Sequence, residues 1–476
     1  MERMSGLDAG FYFADTEQNP LHIGSVTVFE GPAPSYGDLV RLIVSKLPQV
    51  PRYRQRVRTV PLNLGRPVWV DDPHFQILYH VRHTAVPAPG SAEQLRNLAG
   101  RVMSQRLDPD KPLWEIWLVE GLGEGPWGQR GDVEGANYWA AITKVHHCMV
   151  DGIGGIDLMT ALFDLSPDTD HPKPEAEPLK VAPEPEPSQV SLLVDGVRHS
   201  FTEPLRQLAT VPARSLGHGS ALRDFAFGVP RMVGRLTRST TSSLTGPIGP
   251  HRRWLWEHAD LDEIKQIRKA FGGTVNDVIL TAVTRGFRDV LEARGELTDS
   301  TLVRTLVPVS VRADDERGKV NNRISAVLVN LPCGEESPQR RLFLIRSQMD
   351  DLKRTHQANS GDAIARLAGF APTLLALGSR TALRYSQPLV QTVVTNVPGP
   401  PFPLYVLGRR LVELYPYVPL AAGIRVAVAI FSYEGALTFG LTGDFDGMPD
   451  LEVLGQGIRA GFDELIEHAA GSAEPT

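Results

Sequence analysis

Two adjacent histidines, an aspartate and a glycine form the part of this sequence best suited to acid–base chemistry. They are His146, His147, Asp151 and Gly152, in the spacing HHxxxDG. An imidazole exchanges a proton near neutral pH, so either histidine can serve as a general base or acid. The carboxylate can act as a second acid, or it can pair with an arginine and fix a loop. The motif therefore predicts a site of proton transfer.

Other interpretations of the motif are open. One or both histidines can be hydrogen-bonded core residues. A metal site needs three or four ligands, and no third histidine or cysteine lies at ligand spacing, so we expect no metal. Cys148 lies inside the motif, but no partner residue can be assigned to it from the sequence. GxSxG and Walker A motifs are absent.

The elements around the motif alternate between strand-like and helix-like patterns. The apolar run Tyr138–Val145 predicts a buried strand before the histidines, and a glycine-rich turn follows them. Further strands are predicted at His22–Phe29, Phe75–Val81, Leu113–Val119, Leu302–Val309, Ser325–Leu331, Gln391–Thr395, Arg410–Leu414, Arg425–Phe431 and Leu437–Thr442. We expect the last two to pair as a hairpin through Ser432–Gly435. Helices are predicted at Tyr36–Leu47, Ala92–Gln105, Ile153–Leu165, Leu261–Phe271, Thr274–Arg294 and Leu451–His468. Without a strict βαβ rhythm, this order predicts an α/β fold with mixed sheets.

Proline content and charge divide the chain into three parts. Residues 172–187 carry six prolines among Glu and Lys, which is typical of an extended linker. We therefore expect an N-terminal unit at 1–170, a linker or crossover at 171–250 and a C-terminal unit at 251–476. The arginines of the linker could form a basic amphipathic surface for anionic lipid or a phosphorylated ligand, or lie on the solvated face of a connecting helix.

Composition and net charge exclude some classes of function and favour one cellular compartment. The 476 residues carry a net charge of −6, which argues against a general nucleic-acid binder. With only two cysteines, a reducing compartment fits best. We expect no signal peptide, because the first residues lack an apolar segment, and no apolar run approaches the roughly 20 residues that span a bilayer. The sequence thus predicts a cytoplasmic protein whose membrane contact, if any, is peripheral.

Several motifs across the chain, taken together, resemble the bacterial wax ester synthase/diacylglycerol acyltransferase family. This family lies within the HHxxxDG superfamily of chloramphenicol acetyltransferase and the condensation domains. The similar segments are Ser5–Phe11, Pro20–Gly24, Tyr79–His83, Ala88–Gly90, Leu107-Asp108, the PLW segment Pro112-Leu113-Trp114, the HHxxxDG motif, the ND segment Val275–Val278, Pro308–Arg312, and the NVPGP segment containing Asn396. HHxxxDG alone indicates the superfamily, whereas the combination indicates the family.

The resemblance implies two chloramphenicol-acetyltransferase-like subdomains that form a V with a tunnel between them. It implies acyl-CoA and a lipophilic acceptor, diacylglycerol or a long-chain alcohol, as substrates, with no separate cofactor. His147 is then the general base, without a covalent intermediate, and His146 orients or packs. We expect the protein at the periphery of the inner membrane or of lipid droplets, because its substrates partition there.

The resemblance favours a structural role for Asp151, paired with Arg52, Arg54 or Arg312, and Gly152 then permits a tight turn or close approach of substrate. In the ND segment, Thr274 to Asp277 fits a helix capping box, which accounts for Asp277. The capping box leaves Asn276 unexplained, and its amide could stabilise an oxyanion.

Two rival functions remain open. One is a carrier-protein-dependent condensation or polyketide-associated acyltransferase, which shares HHxxxDG but not the PLW and ND segments together. The other is a non-catalytic lipid-binding protein of the same fold, against which the intact His147 and Asp151 argue.

Overall fold

In the described residues of a computed structural model, the strands form two six-stranded mixed sheets and a small three-stranded sheet. The model describes residues 2–123, 127, 137–150, 158–168, 186–195, 198, 242–310, 324–354 and 390–471. The arginine-rich part of the linker, residues 153–157, Asp151, Gly152 and Arg312 lie outside these ranges.

The strands and helices are numbered here in chain order. The strands are β1 Glu2–Arg3, β2 His22–Glu30, β3 Gln55–Arg58, β4 Val68–Asp71, β5 Val81–Ala85, β6 Trp114–Leu122, β7 Tyr138–His146, β8 Arg252–Asp260, β9 Val303–Ser310, β10 Ile324–Leu331, β11 Thr392–Pro398, β12 Tyr405–Val406, β13 Arg409–Tyr417, β14 Val426–Tyr433 and β15 Ala436–Asp444. The helices are α1 Gly6–Ala14, α2 Tyr36–Lys46, α3 Ile77–His80, α4 Ala92–Ser104, α5 Leu158–Leu162, α6 Leu261–Phe271, α7 Val275–Ala293, α8 Pro338–Arg354 and α9 Leu451–Gly471, with 3-10 turns at Leu47–Gln49, Pro51–Arg54, Pro61–Asn63 and His147–Met149.

The first large sheet has the order β12-β13-β2-β7-β6-β5, and its central strand β7 leads into the histidines. β5 and β6 run parallel, whereas the other described neighbours in this sheet are antiparallel. Ala140 and Ile142 on one face of β7 and Ala141 on the other are all buried. A strand buried on both faces has apolar residues at consecutive positions. The continuous apolar run in the sequence therefore predicted β7 correctly.

The second large sheet has the order β10-β9-β11-β14-β15-β8, with β11 parallel to both of its neighbours. The α/β fold with mixed sheets is thereby confirmed. The predicted β14–β15 hairpin is also confirmed, and it turns at Glu434 and Gly435, whose φ angles are 47° and 87°. A two-residue turn with both φ angles positive matches the twist of the flanking strands.

Strands from the C-terminal part of the chain cross into the first sheet. β12 and β13, which follow residue 251, pair beside β2 rather than in the second sheet. Thr438 on β15 donates from its hydroxyl to the carbonyl of Leu414 on β13 at 2.6 Å. A Cβ atom on Gly440 would lie 1.7 Å from the carbonyl oxygen of Pro416. The two sheets are therefore joined by the crossing of β12 and β13 and by close backbone contact between β13 and β15.

The predicted strand at Phe75–Val81 is wrong, because residues Ile77–His80 form a helical turn and the strand starts at Val81. The His80 ring stacks on Phe75 at 5.2 Å and on Trp114 at 4.6 Å. In a strand, residues five apart would point to opposite faces of the sheet. The helical turn brings the two rings together over Trp114.

Candidate active site

The two histidines lie where β7 ends between β2 and β6. The backbone N–H of His146 donates to the carbonyl of Leu113, just before β6, at 2.9 Å. The N–H of His147 donates to the carbonyl of Leu21, just before β2, also at 2.9 Å. Each histidine is thus anchored to a different neighbouring strand. Residues His147–Met149, here called the histidine turn, then form a single 3-10 turn.

His146 is a buried, neutral imidazole that caps the histidine turn. Its Nδ1 accepts a hydrogen bond from the backbone N–H of Cys148 at 3.1 Å and lies 3.0 Å from the Cys148 sulfur. The ring proton is therefore on Nε2, which faces the Oδ1 atom of Asp15 at 3.8 Å. Burial lowers the pKa of His146 to about 4, although Asp15 opposes the shift. This geometry suits an orienting residue.

Cys148 is poorly placed for nucleophilic chemistry. Its side chain is buried, and burial raises the pKa of the thiol well above its ordinary value, reinforced by the charges of Asp8 and Asp15. Since the thiolate is the nucleophilic form, the thiol beside His146 is held in its unreactive state.

The first helix covers the histidine turn. The ring of Phe11 stacks on the imidazole of His147, with 4.0 Å between ring centroids and 26° between the planes. The Asp15 carboxylate at the end of α1 accepts from the N–H of Leu21 at 2.8 Å and pairs with Arg106. Sequence patterns do not reveal the roles of Asp15 and Phe11, because Arg106 and His147, which they contact, are distant in the chain.

The PLW segment packs beside the histidines and holds one of them in place. Trp114 is buried, and its indole N–H donates to the carbonyl of Tyr53 at 2.8 Å. Pro112 accepts from the N–H of Trp114 at 2.9 Å, and Leu113 supplies the carbonyl that holds His146. These contacts place the segment in the scaffold of the histidines.

Two buried basic side chains lie on β2 and β7 near the histidines. The Lys144 ammonium donates to the carbonyls of Val102 and Gln105, and His22 contacts the carbonyl of Met103 through Nε2 at 2.8 Å. These are carbonyls at the C-terminus of α4, where positive charge is stabilised. Burial nevertheless lowers the pKa of Lys144 to about 8.

The ND segment begins α7 in the other half of the chain. The predicted capping box is confirmed: the N–H of Thr274 donates to the Asp277 carboxylate at 2.7 Å, and the N–H of Asp277 donates to the Thr274 hydroxyl at 3.3 Å. Asn276 is half-buried in the first turn of the same helix. Among the described residues, no hydrogen bond joins its amide to the histidine turn.

The NVPGP segment begins on β11 of the second sheet. Asn396 is half-buried on β11, opposite Ile430 of β14. Asp151, Gly152 and Arg312, for which the sequence predicts roles in the site, lie outside the described ranges. Arg52, one candidate partner of Asp151, pairs with Glu2 at 2.6 Å and lies over the ring of Trp69.

A cavity of about 700 Å³ opens at the far end of α7, lined by residues including Arg294, Arg425 and Asp444. Helix α7 has 19 residues, which corresponds to roughly 28 Å at 1.5 Å per residue. The cavity therefore lies far from Asn276, at the opposite end of the helix. In the described part of the chain, no group of three or more His, Cys, Asp or Glu side chains could hold a metal ion.

Two family models match the chain. The model described as the wax ester synthase/diacylglycerol acyltransferase catalytic domain matches residues 4–279, and the WS/DGAT C-terminal domain matches residues 320–466. The chain belongs to the wax ester synthase/diacylglycerol acyltransferase family. The family resemblance predicted from the motifs is therefore confirmed, and with it the assignment of an acyltransferase.

Relatives and solved structures support the family and the fold. A protein named as a probable diacylglycerol O-acyltransferase, tgs1, from Mycobacterium tuberculosis is 36% identical over 471 residues, which cover 98% of this chain and 96% of the relative. The wax ester synthase/diacylglycerol acyltransferase from Marinobacter aquaeolei has a similar fold, with a TM-score of 0.67 at 24% identity over 98% of this chain and 100% of that chain. A trichothecene 15-O-acetyltransferase from Fusarium sporotrichioides shares the fold more distantly, with a TM-score of 0.61 at 14% identity over 98% and 94%.

The buried histidines predict how stability depends on pH. Burial lowers the pKa of His80 and of His146 to about 4, and that of His22 well below 6.5. These rings take up protons only on unfolding, so the free energy of unfolding should fall as the pH drops from about 6.5 toward 4. Each histidine contributes up to about 1.4 kcal/mol per pH unit.

Urea unfolding at pH 7, 6 and 5 measures this slope. The His80→Gln variant should lose part of the pH dependence, whereas His74→Gln, at an exposed position, serves as the control and should keep it. Equal slopes for the wild type and His80→Gln would contradict the assignment of His80 as a neutral core residue.

Proposed function

We propose that this enzyme transfers a long-chain acyl group from acyl-CoA to the hydroxyl of diacylglycerol, a long-chain alcohol, or both. The observation that carries the proposal is the anchored pair His146–His147, in a chain that belongs to this acyltransferase family. The tgs1 relative, whose name specifies diacylglycerol O-acyltransferase, supports diacylglycerol as an acceptor.

In the proposed reaction, a ring nitrogen of His147 takes the proton of the acceptor hydroxyl as its oxygen attacks the thioester carbonyl. The tetrahedral oxyanion then collapses, the carbon–sulfur bond breaks, and the CoA thiolate takes the proton back from the imidazolium. The products are an ester and free CoA. A positioned base contributes about 10²–10⁴-fold, and binding both substrates together supplies the larger share.

Other residues have supporting roles in this proposal. The side-chain amide of Asn276, at the N-terminus of α7, stabilises the oxyanion. The backbone N–H groups at this helix end add a positive electrostatic potential that favours the same negative charge. Asp151 holds the loop after the histidines rather than exchanging protons, and Gly152 permits that loop to turn. The reaction uses acyl-CoA as a substrate and needs no separate cofactor.

The lipophilic acceptors imply that the enzyme works at a membrane or lipid-droplet surface. None of the described helices is long and apolar enough to cross a membrane. We propose, from the partitioning of these substrates, a peripheral contact through which diacylglycerol or fatty alcohol reaches the site from the lipid phase.

Thiol release from palmitoyl-CoA tests the proposal. Purified enzyme is incubated with diolein dispersed in phospholipid vesicles, with hexadecanol, or with neither, and the lipids are separated by chromatography. We expect free CoA to increase with acceptor, matched by triacylglycerol or wax ester. Release that requires an acylated carrier protein would favour the condensation-type rival, and no release with any donor would favour the lipid-binding rival.

A further inference from the structure

Helix α1 contacts both catalytic-motif histidines through consecutive aromatic residues. The Phe11 ring is nearly parallel to the His147 imidazole, 4.0 Å away between centroids. The Tyr12 ring lies 6.2 Å from the His146 ring at 59°. Of the two contacts, only the first is a stack, so Phe11 covers one face of the proposed base.

The helix that carries Phe11 is fixed to the strand that holds His147. At its N-terminus, the Ser5 hydroxyl accepts from the N–H of Asp8 at 3.1 Å. At its C-terminus, the Asp15 carboxylate binds the N–H of Leu21, whose carbonyl binds the N–H of His147. Leu21 is therefore an anchor common to α1 and the histidine turn. A displacement of α1 relative to the histidine turn would strain one of these two hydrogen bonds.

A flat ring at stacking distance limits how the imidazole can turn. The terminal torsion of histidine is broad, so packing must select its angle. The Phe11 ring blocks rotation of the imidazole plane. It covers a face of the imidazole and not the edges, which carry the nitrogen atoms. A general base must lie within hydrogen-bond reach of the proton it takes, and small misplacements are costly. The imidazolium formed during transfer also faces an aromatic ring, which favours positive charge.

We propose that Phe11 is a positioning residue for His147: it holds the imidazole plane at the angle that proton transfer requires. This inference rests on the proposed function, because it assumes that His147 is the base. It goes beyond that function by placing part of the catalytic geometry in the first helix, outside the HHxxxDG motif.

Replacing Phe11 tests the proposal in the full-length enzyme with palmitoyl-CoA and the acceptor that the wild type uses. Phe11→Leu keeps an apolar side chain but removes the flat face, so we expect kcat to fall about 10- to 100-fold with KM for palmitoyl-CoA within about twofold. Phe11→Tyr keeps the flat face and should retain most of the wild-type kcat. The matched control is Phe13→Leu, on the same helix, whose ring contacts Tyr12. It should leave kcat near the wild-type value.

A spectroscopic measurement reports the stack without turnover. In histidine-labelled protein, the His147 ring signal is assigned by its loss in His147→Ala. Phe11→Leu should remove the ring-current shift of that signal, and Phe11→Tyr should preserve it.

The outcomes separate this inference from the proposed function. A wild-type kcat in Phe11→Leu would overturn the positioning role, and so would equal losses of kcat in Phe11→Leu and Phe11→Tyr. If His147→Ala is inactive, either result leaves the assignment of His147 as the base intact. An active His147→Ala variant would instead overturn the base assignment. In the His147→Ala background, adding Phe11→Leu should cause no further loss of turnover, since the ring it positions is gone.

Discussion

Replacing His147 with alanine should reduce acyl transfer about 10²–10⁴-fold, the contribution expected of a positioned general base. The variant should still bind acyl-CoA, because the proposed role of the imidazole concerns the acceptor proton and not the thioester. His147 is the only histidine of the motif whose ring stacks against α1, whereas the neighbouring ring is buried and caps a turn. Steady-state thiol release together with acyl-CoA binding by calorimetry separates the two effects.

The matched variant is His146→Asn. Its side-chain oxygen can accept from the N–H of Cys148, as Nδ1 of His146 does at 3.1 Å. Since His146 is buried and neutral and caps the histidine turn, we expect a smaller loss of kcat than in His147→Ala. A larger loss in His146→Asn than in His147→Ala, with both proteins folded, would reverse the assignment of the base.

Trp114→Ala should lower the free energy of unfolding by about 3–5 kcal/mol, the range found when large buried aromatic residues are truncated. The indole is 1% exposed, stacks on His80 and meets Tyr53 edge to face at 5.5 Å. Its removal leaves a cavity and takes the donor from the Tyr53 carbonyl. Urea unfolding at pH 7 measures the loss.

The same strand offers a control for this prediction. Trp117 is half-buried, and its indole N–H reaches Glu115 at 3.0 Å. Trp117→Ala should cost only about 1 kcal/mol, a typical value for a point substitution, because its ring is half-buried at the edge of the core. Equal losses for the two variants would show that Trp114 has no special place in the scaffold. Because Leu113 holds His146, we also expect kcat to fall in Trp114→Ala where the protein remains folded.

Local patterns predicted much of this molecule. The continuous apolar run before the histidines located β7, and the Thr-x-x-Asp spacing located the start of α7, because each depends on residues adjacent in sequence. The pairing of β14 with β15 followed from a short turn containing Gly435. These features are set by period, capping and turn chemistry, which a single sequence displays directly.

Contacts between distant segments could not be predicted in this way. Nothing near Arg409–Tyr417 indicates that β13 pairs with β2 of the N-terminal half. The stack of Phe11 on His147 joins residues 136 positions apart, and the anchors at Leu21 and Leu113 are backbone carbonyls, which leave no signature in side-chain type. The helical turn before Val81 likewise depends on Trp114, a partner from another strand.

The central claim is direct transfer from acyl-CoA to a hydroxyl at His147, and thiol release before any acceptor is added tests it most directly. Enzyme and palmitoyl-CoA are mixed rapidly without acceptor, free CoA is followed in time, and the mass of the intact protein is measured. We predict no burst of CoA and no acylated protein, followed by rapid release when diolein or hexadecanol is added. A burst of one CoA per enzyme with an acyl adduct would contradict the claim and establish a covalent intermediate.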